Sequence, residues 1–135
     1  MHSTNYFNCL ITVADDCKKD HGTIPREKLT IANYHFKQIT TQPLVLNSDD
    51  IIFNTYATRM NIAESDLEDE RIRFFSTGQA CLRTSPLAKS YGWGIYFNET
   101  GKVKLVDSAS EEYNLLIKDI SVKKIPAMRN KKILP

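Results

Sequence analysis

The chain is short of several things, and each shortage narrows what it can be. Its 135 residues include only 3 cysteines, 5 glycines, 5 prolines and 1 tryptophan. Cys9, Cys17 and Cys81 are odd in number and stand 8 and 64 residues apart. That spacing fits neither a disulfide framework nor a CxxC metal pair, so they read as free thiols of a reducing compartment. No run approaches the ~18 apolar residues of a membrane helix. Residues 1–5 lack the basic and apolar regions of a secretory leader. The expected address is the cytosol, with no membrane partner. There are no repeats and no low-complexity tracts.

What is present fits one globular domain: 41% hydrophobic, 25% charged and 10% aromatic residues. The net charge of +2 is unevenly spread. Residues 118–135 carry Lys118, Lys123, Lys124, Arg129, Lys131 and Lys132 against Asp119 alone, while residues 1–117 hold 12 basic and 15 acidic side chains. Within that acidic body, residues 71–98 contain Arg71, Arg73, Arg83 and Lys89 and no carboxylate. A pI of about 8.4 is not that of a committed nucleic-acid binder.

Hydrophobic periodicity predicts an α+β fold, a small antiparallel sheet packed against several helices. Residues 6–14, aromatic and β-branched, read as a strand. Ile31, Tyr34, His35, Gln38 and Ile39 mark a helix closed by Pro43. Ser48 is the expected N-cap of a second helix with Phe53, Tyr56, Ala57 and Met60 on its apolar face. Ser65-Asp66-Leu67-Glu68 has capping-box spacing and opens a third, with Leu67, Phe74 and Phe75 as its stripe and Gly78 as its stop. Residues 79–92 show no period and contain Pro86, so they read as a long loop. Trp93, Ile95 and Phe97, then Val103 and Leu105, alternate about a turn and predict a 93–106 hairpin beside the first strand. Ser108-Ala109-Ser110-Glu111 is another capping box, before Tyr113, Leu116 and Ile117. Residues 1–119 form the expected domain, and 120–135 a basic C-terminal tail with a short helix around 127–131.

Chemistry concentrates in the carboxylate-free stretch. Arg73, Arg83 and Lys89 are candidate anion ligands, and Tyr91 and Trp93 beside Gly92 and Gly94 are candidate stacking faces. Together they suggest a non-catalytic binding module for a small anionic, nucleotide-like ligand, with no cofactor. The bland alternative is that Tyr91 and Trp93 anchor the hairpin while the arginines pair with nearby acids. Cys81 is a weaker candidate, a nucleophile that would need His2, His21 or His35 as its base. A third reading is an adaptor that binds protein or nucleic acid through the basic tail, although the tail lacks interleaved aromatics. Asp49-Asp50 is explained by its place at a helix start. His2, Asp15, Asp16, Cys17 and His21 match no metal-ligand spacing, so no metal is expected. A homodimer is compatible with these residues only because such symmetry is common.

Several long words of the sequence resemble a family of small uncharacterised bacterial proteins, a domain of unknown function. They are Thr4-Asn5-Tyr6-Phe7-Asn8, Val13-Ala14-Asp15-Asp16-Cys17, Ser48-Asp49-Asp50-Ile51-Ile52-Phe53, residues 74–87 and Lys89-Ser90-Tyr91-Gly92-Trp93-Gly94. The resemblance covers nearly the whole chain and implies a bacterial cytosolic protein whose most distinctive chemistry lies in residues 74–94. It supplies no activity, cofactor or catalytic residue. Family members often carry Pro at the position of Ala80 and His at that of Tyr96.

Overall fold

The computed structural model describes residues 1–131. Four strands form one sheet in the order β3-β2-β1-β4: β1 Cys9–Thr12, β2 Trp93–Phe97, β3 Val103–Asp107 and β4 Lys123–Pro126. β1 pairs antiparallel with β2 (Ile11 opposite Ile95), and β2 antiparallel with β3 (Ile95 opposite Leu105). The N-terminal strand therefore lies beside the hairpin, as its alternation implied. β4 adds a parallel neighbour to β1, with Ile125 opposite Ile11, so the sheet is mixed. Flanked on both sides, Leu10 and Ile11 have no exposed surface.

Five helices surround this sheet: α1 Ile31–Thr41, α2 Ser48–Arg59, α3 Leu67–Phe74, α4 Pro86–Ser90 and α5 Glu111–Lys118. The main core joins Cys9, Ile11, Ile95, Phe97 and Val103 of the sheet to Ala32 and Ile39 of α1, Ile51 of α2, and Leu87 and Ala88 of α4. A second core packs Phe53 and Ala57 of α2 against Phe75, with Phe74 beside them. Arg71 closes this second core. It pairs with Asp50 at 2.9 Å and lies 5.6 Å from the ring centroids of both Phe53 and Phe75. On the opposite face of the sheet, α5 lays Tyr113 over Gly94, where a Cβ would stand 2.7 Å from the tyrosine ring. The Tyr113 hydroxyl accepts the Val13 N–H at 3.2 Å.

Several local expectations need correction. Residues 79–92 are not loop throughout: Leu82–Thr84 is a 3-10 turn and Pro86 opens α4. Proline suits the first helical position, where its missing N–H is no loss, and Ser85 caps the turn by accepting the Leu87 N–H. The N-cap of α2 is Asn47, not Ser48, in a reciprocal box with Asp50. The Ser65 box does not form: a 3-10 turn at Glu64–Asp66 leads into α3 without a side-chain cap. α3 ends at Phe74, before Gly78. Ser110, rather than Ser108, caps α5.

The basic C-terminal stretch also departs from expectation, since residues 123–126 are β4 and no helix forms over 127–131. These residues instead run as a strap. Ala127 N–H donates to Thr12 O, Met128 N–H to Arg83 O, and Asp16 accepts the N–H groups of Asn130 and Lys131 at 3.0 and 2.9 Å. Those two backbone donors hold the Asp16 carboxyl below the usual carboxylate range. Four of the five N–H groups over 127–131 thus find acceptors outside a helix. The expected tail's last four residues, Lys132 included, lie outside the described residues.

The loop over residues 19–24 is held against β2. Trp93 Nε1 donates to Thr23 O at 2.8 Å, and both the N–H and the hydroxyl of Thr23 donate to Tyr91 O. Gly92 sits at the junction with φ +83°, and a Cβ there would meet His21 O at 2.0 Å. Neither the dihedral nor the contact tolerates a side chain. Gly92→Ala is therefore expected to lower stability by about 2 kcal/mol or more in urea unfolding monitored by Trp93 fluorescence. An unchanged midpoint would show that this junction does not restrain the fold.

Candidate functional site

The two cores leave a cavity of about 450 Å³ between them, within the range of small-molecule sites. α1 contributes Ile31 and His35; α2 contributes Ile52, Thr55, Tyr56 and Arg59; Phe74 and residues 79–84 close the far side. The α2 residues recur at i, i+3, i+4 and i+7, one step round the helix from its core face of Phe53 and Ala57. No carboxylate lines the cavity.

Most polar groups of its wall are already engaged. The Thr55 hydroxyl donates to Ile51 O and accepts from Gln38; the Thr84 hydroxyl donates to Cys81 O; the Gln79 amide donates to Phe74 O. Arg59 is different. It is exposed, and it pairs with no carboxylate among the described residues. Its guanidinium is a free cation at the mouth of an apolar space.

His35 forms part of the wall, 6% exposed, with Nδ1 2.8 Å from Ser85 Oγ. Burial pushes its pKa down to about 4, so the ring is neutral near pH 7. Cys81 also borders the cavity, its Sγ 3.3 Å from the Tyr6 hydroxyl. Burial, with the Cys81 contact, pushes Tyr6 up to about 12, which keeps the phenol protonated. The fold thus brings the candidate nucleophile and one candidate base to one cavity. An imidazole that takes a proton only near pH 4 is nonetheless a weak acceptor for a thiol proton.

The other residues singled out from the sequence do not converge. Arg73 is exposed on α3 and pairs with Glu70 at 3.1 Å. Arg83 Nε donates to Pro126 O at 2.8 Å and borders a separate groove beside residues 126–131. Lys89 ends α4, its carbonyl accepting from Asn130 at 2.7 Å. Trp93 is spent on the 19–24 loop and on Phe36, whose ring centroid is 5.8 Å away. Tyr91 lines a polar cleft of about 450 Å³ with Lys19, Arg26 and Lys28. Of the 73–94 stretch, Phe74, Gln79 to Leu82 and Thr84 wall the cavity, whereas its cation, Arg59, comes from α2.

Asp49, read as a helix-start residue, and Asp15, weighed as a metal ligand, have structural partners. Asp49 accepts the Thr4 N–H and hydroxyl, both at 2.7 Å, and so fastens the N-terminal segment. Asp15 reaches Arg129 at 3.4 Å, and Asp20 pairs with His21.

The chain belongs to a family of unknown function, DUF6157, whose model matches residues 1–133. No curated protein and no solved structure matches it. No helix among the described residues is long and apolar enough to cross a membrane.

The depressed His35 pKa makes stability depend on pH. Unfolded, the ring titrates near 6.5; folded, near 4. Between those values the unfolded chain binds the extra proton. The contribution is therefore complete above about pH 6.5 and is lost as pH falls toward 4. The span is worth about 3 kcal/mol. Urea unfolding at pH 7.5 and 4.5 should show most of this loss, and His35→Gln should remove most of the difference. Equal stability at the two pH values in the unmodified protein would contradict the buried neutral ring.

Proposed function

We propose that this domain is a binding module for a small anionic molecule with an apolar or aromatic body, held in the cavity between α1, α2 and residues 79–84. One observation carries the reading: an apolar-walled space without a carboxylate, bordered by an exposed arginine that has no ion-pair partner among the described residues. Ile52, Tyr56, Phe74 and Leu82 would cover the body of the ligand, and the Arg59 fork would take a carboxylate or phosphate at the mouth. Burial of the body supplies affinity, while the single cation selects for negative charge.

A second reading places a nucleotide-like ligand in the Tyr91 cleft. It is favoured by three cations, Lys19, Arg26 and Lys28, beside one aromatic ring. Glu27, between two of them in sequence, is paired with Lys37. The cleft lacks the apolar walls of the first site, so the cavity remains the preferred assignment.

Calorimetric titration with 2-naphthoate and with AMP separates the two. The cavity reading expects 2-naphthoate to bind, Arg59→Ala to weaken it about tenfold or more, and Arg83→Ala to leave it unchanged. Binding of AMP alone, abolished by Arg26→Ala, would favour the cleft. Binding of 2-naphthoate that survives Arg59→Ala would refute the role given to this arginine.

A further inference from the structure

The position of one proton narrows the ligand class, on the premise that the cavity is the binding site. Ser85 is 1% exposed, and its hydroxyl oxygen accepts the Leu87 N–H at 3.3 Å while capping α4. Its hydroxyl hydrogen has one available acceptor among the described residues, His35 Nδ1 at 2.8 Å. A buried hydroxyl hydrogen does not go without an acceptor when one lies in reach. Ser85 therefore donates to Nδ1, and in the neutral ring the proton sits on Nε2.

That Nε2–H makes no hydrogen bond to a described residue, yet it is not among the buried side-chain atoms sealed from solvent without a partner. It belongs to a side chain that lines the cavity. Three backbone carbonyls beside the cavity are already in use: Thr84 donates to Cys81 O, Gln79 to Phe74 O and Thr55 to Ile51 O. The wall thus holds a donor, fixed in its tautomer by Ser85, that bonds to no described residue. Water can serve it in the empty site; a ligand that presents only carbon there would strand it.

We propose that the ligand carries, besides its anionic group, an uncharged hydrogen-bond acceptor that receives His35 Nε2–H: the carbonyl oxygen of an oxo acid or the ring nitrogen of a heteroaromatic acid. The acceptor is uncharged because a neutral imidazole among apolar side chains cannot balance a desolvated anion. The charge belongs at the mouth with Arg59, and the neutral acceptor belongs inside. Such a site discriminates strongly, since an analogue lacking the acceptor leaves a buried donor unpaired.

Two measurements on the full chain test this. Long-range ¹⁵N–¹H correlation spectra at pH 7 report the His35 tautomer directly; protonation at Nε2 is expected, and an Nδ1–H tautomer would overturn the inference. Calorimetry then compares 2-naphthoate with quinoline- and isoquinoline-carboxylates whose ring nitrogen occupies each position in turn. At least one isomer should bind about tenfold more tightly than 2-naphthoate and shift the Nε2 proton resonance downfield. In His35→Met, shown to be folded by circular dichroism, that preference should vanish; a preference that survives would overturn the inference. If 2-naphthoate binds in an Arg59-dependent way but no nitrogen isomer improves on it, the acceptor is refuted and the binding site stands. If none of these acids binds, the site reading itself fails, and this inference fails with it.

Discussion

A single buried hydrogen bond, between Ser85 and His35, joins two helices across the main core. Ser85 is where a proline-led helical turn begins, and its side chain must cap that turn. His35 comes from α1, fifty residues earlier in the chain. Their contact ties α1 to α4 across the main core, where Leu87 and Ala88 are fully buried. Burial around this contact seals most of the imidazole from water and pushes its pKa down to about 4. One side chain, Ser85, thus serves both the cap of α4 and the tie to α1.

The distribution of carboxylates has a comparable logic. Asp49 holds the N-terminal segment, Asp50 caps α2 and receives Arg71, and Asp16 holds the C-terminal strap. Asp107 accepts the N–H groups of Ala109 and Gly22, which keep its carboxyl below the usual range. Acids are therefore engaged as ties between chain segments that are far apart in sequence. The cavity between the two cores is left free of them, and Arg59 has no described carboxylate to neutralise it.

Much of the fold was legible from periodicity. The 93–106 hairpin, the first strand and the helices starting near Thr30, Ser48 and Ser110 all follow from alternation, helical spacing and capping chemistry. β4 was not legible, since Lys123-Lys124-Ile125-Pro126 looks like a basic tail until Asn8 and Thr12 offer their carbonyls. Parallel pairing across more than 110 residues leaves no local pattern. α4 was hidden by Pro86, read as a breaker when it is an initiator.

The site was half legible. Gln79 to Leu82 and Thr84 line the cavity, but the side chains whose chemistry stood out, Arg73, Arg83, Lys89, Tyr91 and Trp93, do not. The arginines nearest in sequence point elsewhere, because short-range neighbours of a helix end are drawn to backbone carbonyls and to i−3 acids. Arg59 could have been found by reading the α2 period one residue earlier, where Ile52, Thr55, Tyr56 and Arg59 make a second stripe. His35 was visible only as one of three histidines, since nothing local reveals a partner fifty residues away.

The most direct test of the account is a map of backbone and methyl chemical-shift changes as 2-naphthoate is added to the isotope-labelled protein. The account predicts changes centred on His35, Ile52, Thr55, Cys81 and Leu82, with Tyr91 and Met128 unmoved. Changes centred on Tyr91 and Arg26, or on Arg83 and Met128, would contradict it, as would a spectrum that does not change at saturating ligand.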